Sequence, residues 1–259
     1  MHSPQRRPQD TARLALSCLD LTSLNDGDDE AAIVRLAERA AAAPGPVAAL
    51  CVWPRFVPTA LAHAPAGVAV AAVANFPDGS TDIERALRDS GEIVAAGAHE
   101  VDVVMPWRSL AAGDEASCAA LLRAVRRACE GRVLKVILET GELKTPALIA
   151  RASCIALAEG ADFLKTSTGK TPVGATPEAA TLMLQAIAAD AGAAARVGFK
   201  AAGGVRSVAD AALYLDRVEA VLGAAALAPA RCRIGASALL ADIEAVLAGG
   251  RHGATASGY

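Results

Sequence analysis

Short apolar runs alternate along this chain with longer segments in which apolar positions recur every three or four residues, the two periods expected of strands and helices. After a short leading helix, Gln9 to Leu16, the alternation in Cys18-Leu19-Asp20-Leu21-Thr22 predicts a half-buried strand, and Asp29 to Ala43 a helix ending before Pro44-Gly45-Pro46. Strand Val47 to Trp53, helix Arg55 to Ala64, strand Val68 to Ala74, helix Thr81 to Ala96, strand Glu100 to Met105 and helix Glu115 to Glu130 follow. Strand Leu134 to Glu139, helix Thr145 to Glu159, the strand holding Lys165 and helix Pro177 to Ala191 continue the pattern. The strand holding Lys200, helix Val208 to Leu215, a shorter helical piece near Val221 and strand Cys232 to Gly235 complete it. Gly97, Gly131 and Gly160 stand where helix C-caps are wanted. Strands apolar on both faces require a parallel sheet covered by helices, and about eight strand–helix repeats close most economically as a barrel. The predicted fold is α/β, a single (β/α)8 TIM-barrel domain over residues 1–259. It has an extra N-terminal helix, and residues 1–8 and 250–259 are expected to be flexible. An open doubly wound sheet would want a glycine fingerprint after its first strand, and none is present.

Composition narrows the class. The chain is 53% apolar and 20% charged, with 3% aromatic residues, so alanine, valine and leucine must fill the core. No apolar run approaches the ~18 residues that span a bilayer, and the first thirteen residues are polar and lack a signal region. These features predict a cytoplasmic protein without a membrane partner. Six scattered cysteines without a CxxC pair predict reduced, packed thiols, Cys51 among them. The net charge of −3 gives no reason to expect nucleic acid. His2, His63, His99 and His252 lack metal-ligand spacing, which argues against metal-dependent chemistry; no cofactor is expected, and His99 reads as a loop residue.

The chemistry centres on two stretches that share one grammar. Phe163-Leu164-Lys165-Thr166-Ser167-Thr168-Gly169-Lys170 and Val197-Gly198-Phe199-Lys200-Ala201-Ala202-Gly203-Gly204-Val205-Arg206 each place one lysine in an apolar run that opens into small residues. Desolvating an ammonium is expensive, so a lysine at such a position wants a partner or a task. In a barrel, Lys165 and Lys200 lie on neighbouring strands and their like charges disfavour double protonation. A downward shift of about three units leaves about a third of a lysine neutral at pH 7, at roughly 4 kcal/mol. A neutral buried amine attacks carbonyls to form a Schiff base, whose iminium allows carbon–carbon cleavage without a metal. Asp20, Thr22 and Asp102, placed at strand ends, are further candidates, and Asp102 can relay protons. Lys135 and Glu139 are expected to pair inside the barrel.

Glycines supply an anion site. Gly203-Gly204-Val205-Arg206 and Gly235-Ala236-Ser237 each precede a helix, where N–H groups and the helix dipole favour phosphate, and Gly169-Lys170 adds an N–H and a charge. Loops after the seventh and eighth strands form the recurrent phosphate site of such barrels.

The ordered set Leu19 to Asp26, Cys51 to Phe56, Asn75-Phe76-Pro77, Glu100 to Val104, Lys135 to Leu143, Phe163 to Lys170 and Gly198 to Arg206 closely resembles the deoxyribose-phosphate aldolases. The resemblance implies a class I aldolase of deoxyribonucleoside catabolism that interconverts 2-deoxy-D-ribose 5-phosphate with D-glyceraldehyde 3-phosphate and acetaldehyde. It implies Lys165 as the Schiff-base lysine, Lys200 as the neighbour that lowers its pKa, and Asp102 as proton relay. Asp20 and Thr22 would support that relay and the substrate hydroxyl. The branch it resembles also tends to end in tyrosine, which implies that Tyr259 assists proton transfer at the donor carbon. About ten extended residues span ~30 Å, enough to return from the last helix to the site. Ala201 replaces a proline common in the family, and Ala238 a second serine after Ser237, which puts one phosphate contact in doubt. Small sugar-phosphate and aldehyde substrates are the expected partners; a homodimer is allowed but not indicated. Another Schiff-base sugar-phosphate aldolase and a non-catalytic phosphate-binding barrel are the alternatives. An isomerase would want a strand-end histidine, which is missing.

Overall fold

A computed structural model describes residues 6–249. Eight strands run β1 (Leu19–Thr22), β2 (Ala49–Val52), β3 (Ala69–Ala74), β4 (Glu100–Val104), β5 (Val133–Ile137), β6 (Phe163–Lys165), β7 (Gly198–Ala202) and β8 (Cys232–Ala236). Each pairs in parallel with the next, and β8 pairs with β1 to close the barrel. The helices are α1 (Pro8–Ser17), α2 (Glu30–Ala41), α3 (Val57–His63), α4 (Ile83–Ala95), α5 (Trp107–Ala111), α6 (Glu115–Ala128), α7 (Thr140–Leu143), α8 (Pro146–Ala158), α9 (Pro177–Ala189), α10 (Val208–Leu222) and α11 (Leu239–Leu247). This is the alternating α/β barrel that the hydrophobic pattern predicts.

The outer helices start where a short polar side chain can take the unpaired N–H groups of a first turn. Asp29, Asp82, Asp114, Thr145, Thr176 and Ser207 each accept such a bond at the heads of α2, α4, α6, α8, α9 and α10. At α11 the corresponding residue is Ala238, which has no side-chain acceptor to offer. The expected helix Val208 to Leu215 and the separate piece near Val221 are one helix. Asp216 and Arg217 interrupt the apolar pattern but lie on its outer side, Val218 returns to the core, and Gly223 at φ 83° ends it. The short helices α5 and α7, in the loops after β4 and β5, have no hydrophobic period long enough to read from sequence.

Inside the barrel, side chains two apart on a strand share a face. Asp20 on β1, Glu100 and Asp102 on β4, Lys135 on β5, Lys165 on β6, Lys200 on β7 and Arg233 on β8 meet there, all buried. Where a typical barrel packs branched apolar residues, this one packs charges.

Candidate active site

Asp102 is the hub. One carboxylate oxygen accepts from Lys135 Nζ at 2.7 Å, and the other from both Lys165 Nζ and Lys200 Nζ at 2.8 Å. Register delivers this arrangement, since Asp102 pairs with Lys135 across β4 and β5, and Lys165 with Lys200 across β6 and β7. Lys200 also donates to Asp20 Oδ2 at 2.5 Å, while Arg233 donates to Asp20 Oδ1 at 2.7 Å and to Glu100 Oε1 at 2.7 Å. Lys135 completes the ring through Glu100. Gly235 makes room for it: a Cβ there would lie 3.0 Å from Lys200 Cε. Four bases thus face three carboxylates. Burying ions costs several kcal/mol each unless each is paired, so the stable charge state is one with a neutral base.

Lys165 is the one of the four whose ammonium is disfavoured. Burial is the largest influence on it and lowers its ammonium; Asp102 acts against burial and Lys200 with it, and the net shift is downward. The expected like-charge effect is therefore present but second to desolvation. Lys200 moves the other way, because Asp102 and Asp20 outweigh its burial and hold it charged. Burial raises Asp102, yet Lys135, Lys165 and Lys200 together hold its carboxyl well below the usual range. Asp20 is likewise held low against burial, by Lys200, Arg233 and Lys135.

Above this layer opens a cavity of about 410 Å³ lined by Lys165, Thr22, Thr168, the Gly169-Lys170 turn, Gly203 to Arg206 and Gly235 to Ala238. Of the seven charged residues below it, Lys165 alone reaches the lining. Asp20 and Asp102, expected at strand ends, sit deeper, each with no exposed surface. Asp20 is bonded to Lys200 and Arg233 and does not line the cavity. Thr22 does face the cavity, its hydroxyl donating to Asp20 O at 2.8 Å.

On the anion side the head of α10 is largely occupied: Asp210 accepts from the N–H groups of Arg206 and Ser207, Asp242 from Val208, and Ser207 Oγ from Asp210. Among the described residues, the N–H groups of Gly204 and Val205 have no acceptor, so the loop holds donors in reserve. Gly203 requires its glycine, with φ at 82° and the place of a Cβ only 3.0 Å from Gly174 Cα. The uncapped α11 end, with Ser237 beside it, offers the helix terminus that α10 does not. Arg206 and Lys170 stand at the rim, Lys170 3.4 Å from Asp26. Tyr259 lies outside the described residues.

Sequence reasoning missed two participants and mispaired a third. Arg233 and Glu100 are charges on barrel strands, and the argument applied to Lys165, that a buried charge wants a partner, applies equally to them. Glu139 was assigned to Lys135, but Lys135 bonds Glu100 and Asp102 instead. Glu139 follows β5 in a left-handed conformation, φ 57°, which turns it toward the next loop. There it accepts from Thr168 Oγ1 at 2.6 Å and Thr171 Oγ1 at 3.2 Å, and burial raises its carboxyl. Cys51 is buried with Sγ 4.0 Å from Asp102 Oδ2.

Known proteins share this architecture. A deoxyribose-phosphate aldolase of Agrobacterium fabrum is 48% identical over 259 residues, 98% of each chain. Among solved structures, a candidate deoxyribose-phosphate aldolase from Toxoplasma gondii superposes with a TM-score of 0.85 at 27% identity, covering 93% of this chain and 98% of that one. The tetrameric deoxyribose phosphate aldolase of Aeropyrum pernix gives 0.70 at 25% identity, covering 93% and 92%. The model of the DeoC/LacD aldolases matches residues 14–245, from α1 into α11, and so takes in every strand of the barrel and the lysine layer inside it. With that match and the near full-length relative, the chain belongs to the DeoC/LacD family of aldolases.

Proposed function

We propose that Lys165 forms a Schiff base with open-chain 2-deoxy-D-ribose 5-phosphate and that the enzyme releases D-glyceraldehyde 3-phosphate and acetaldehyde. The observation that carries this reading is that Lys165, the base whose ammonium is disfavoured, is also the one member of the buried network that lines the cavity. Its neutral amine adds to the C1 carbonyl, and loss of water leaves an iminium. Removal of the C3 hydroxyl proton sends the C2–C3 bonding electrons toward that iminium, which frees the phosphorylated aldehyde and leaves an enamine. Protonation at C2 and hydrolysis return acetaldehyde and the amine. Asp102, in contact with Lys165 and Lys200, relays protons at the nitrogen. Lys200, held charged, keeps Lys165 neutral. Asp20 holds Lys200 in place, and Thr22 offers its hydroxyl to the substrate. Tyr259, on the family resemblance, protonates the enamine carbon.

The phosphate takes the N–H groups of Gly204 and Val205, the α11 terminus with Ser237, and the charges of Arg206 and Lys170. Gly169 and Gly203 keep the loops close, and Gly235 clears space for Lys200. No helix among the described residues is long and apolar enough to cross a membrane. Six free cysteines, five of them buried, support a reducing, cytoplasmic location.

The test is borohydride reduction in the presence of acetaldehyde, with peptide mass mapping beside a cleavage assay on 2-deoxyribose 5-phosphate. An N-ethyl group on Lys165 and release of both aldehydes are expected. Modification of Lys200 instead, or cleavage without any adduct, would overturn the assignment.

A further inference from the structure

Arg233 and Glu100 belong to the buried network yet neither lines the cavity nor bonds Lys165. Arg233 on β8 spreads its guanidinium between Asp20 and Glu100, with Nε anchored on Pro229 O at 2.5 Å. Glu100, near the start of β4, takes Arg233 on both oxygens, at 2.7 and 3.1 Å, and Lys135 on one of them. The pair lies beneath the site, with Arg233 level with Lys200 in the ladder, and Lys200 level with Lys165. We propose that Arg233 and Glu100 are positioning residues that set, by their opposite charges, whether the site holds Lys165 as amine or ammonium. This inference rests on the Schiff-base role of Lys165.

The reasoning is a charge count with a geometric mechanism. Around Lys165, β1 presents Asp20, β2 Cys51, β4 Asp102 and Glu100, β5 Lys135 with Glu139 just beyond it, β7 Lys200 and β8 Arg233; Lys170 and Arg206 stand at the rim. Glu139 is turned to Thr168 and Thr171 and makes no ion pair within the buried network, which holds Lys135, Lys165, Lys200 and Arg233 against Asp20, Glu100 and Asp102. The excess is one positive charge, and neutral Lys165 removes it.

Without Arg233, Asp20 Oδ1 loses its partner, and Lys135, now 3.7 Å from Asp20, can turn to it. That releases Asp102 toward Lys165, and three ammonium groups then balance three carboxylates. Without the Glu100 charge the opposite follows: Lys135 leans more on Asp102 Oδ1, Arg233 is left to share Asp20 with Lys200, and the ammonium of Lys165 is disfavoured further. Removing both charges restores the original excess of one. Strands two apart in a sheet lie ~10 Å from each other, and at an effective dielectric near 20 a unit charge at that distance moves a titration by about one pH unit.

The measurement is the pH dependence of cyanoborohydride trapping of acetaldehyde on Lys165, with kcat/KM profiles alongside, in Arg233→Gln, Glu100→Gln, the double variant and Arg233→Lys. The acid limb of trapping should rise by about one pH unit in Arg233→Gln and fall by about one in Glu100→Gln. It should return to the parent position in the double variant. Arg233→Lys keeps the charge and loses the fork, so it should keep the limb while melting lower. Shifts of the same sign in the two single variants, or damage that adds in the double one, would overturn the proposal. Should Arg233→Gln not fold, Glu100→Gln decides alone, since a limb that stays or rises refutes the idea. Absence of any Lys165 adduct in the parent enzyme would instead refute the Schiff-base assignment itself.

Discussion

Replacing Lys200 by methionine keeps most of the side-chain volume and removes one charge from the centre of the site. Lys165 Nζ and Lys200 Nζ each lie 2.8 Å from the same Asp102 oxygen, so they can be no more than 5.6 Å apart, twice that distance. Two unit charges at ~5.6 Å repel by about 3 kcal/mol at an effective dielectric near 20. Loss of that repulsion favours the Lys165 ammonium by about two pH units. Asp102, freed of one partner, adds to the same direction. The acid limb of kcat/KM should therefore move up by about two units, and activity below the limb should drop about a hundredfold. Much of it should return at alkaline pH, where the amine reappears. The assay is a kcat/KM profile from pH 5 to 10, with cyanoborohydride trapping to confirm that the same nitrogen titrates. Melting curves establish that the variant folds. A folded variant with an unmoved limb would refute the electrostatic account and leave Lys200 as a proton carrier only.

Four further outcomes follow from the same geometry. Ala238→Asp gives α11 the cap it lacks and should add about 1 kcal/mol of stability, ~2–4 °C in melting temperature at this size. Its charge should cost far more kcat/KM with 2-deoxyribose 5-phosphate than with 2-deoxyribose, and equal losses on the two would exclude phosphate at that helix end. Glu139→Gln should raise KM several-fold while trapping of acetaldehyde on Lys165 stays near normal, because Glu139 holds the Thr168–Thr171 turn and not the amine; lost trapping would contradict this. Asp20 and Asp102 titrate lower in the folded protein than in the unfolded chain, so the stability they contribute is complete above about pH 4 and is lost as pH falls through their folded values. Melting temperature should hold from pH 7 to 5 and decline below pH 4; an earlier decline would point to other groups. Deleting Tyr259 should slow overall turnover and exchange of the methyl protons of bound acetaldehyde without changing stability, and an unchanged exchange rate would remove it from the mechanism.

The sequence by itself determined the alternation of elements, and through it the barrel, because strand and helix periods are local and the closure of eight repeats leaves few alternatives. It also singled out Lys165, Lys200 and Asp102, since a charge inside an apolar strand is costly wherever that strand sits. Partnerships were not legible in the same way. Lys135 and Glu139 share a strand end and opposite signs, yet the left-handed backbone at Glu139 turns it to Thr168, while β4 supplies Glu100 and Asp102 to Lys135. Glycine-rich stretches before α10 and α11 looked equivalent, and only the fold shows that Asp210 and Asp242 take most of the donors at the first while the second has no side-chain cap. The excess of one base over the carboxylates is likewise a property of seven side chains drawn from six strands. Each is separated from most of the others by dozens of residues, so no local pattern could count them. Whether a given lysine is amine or ammonium depends on that count, and the closed barrel sets it.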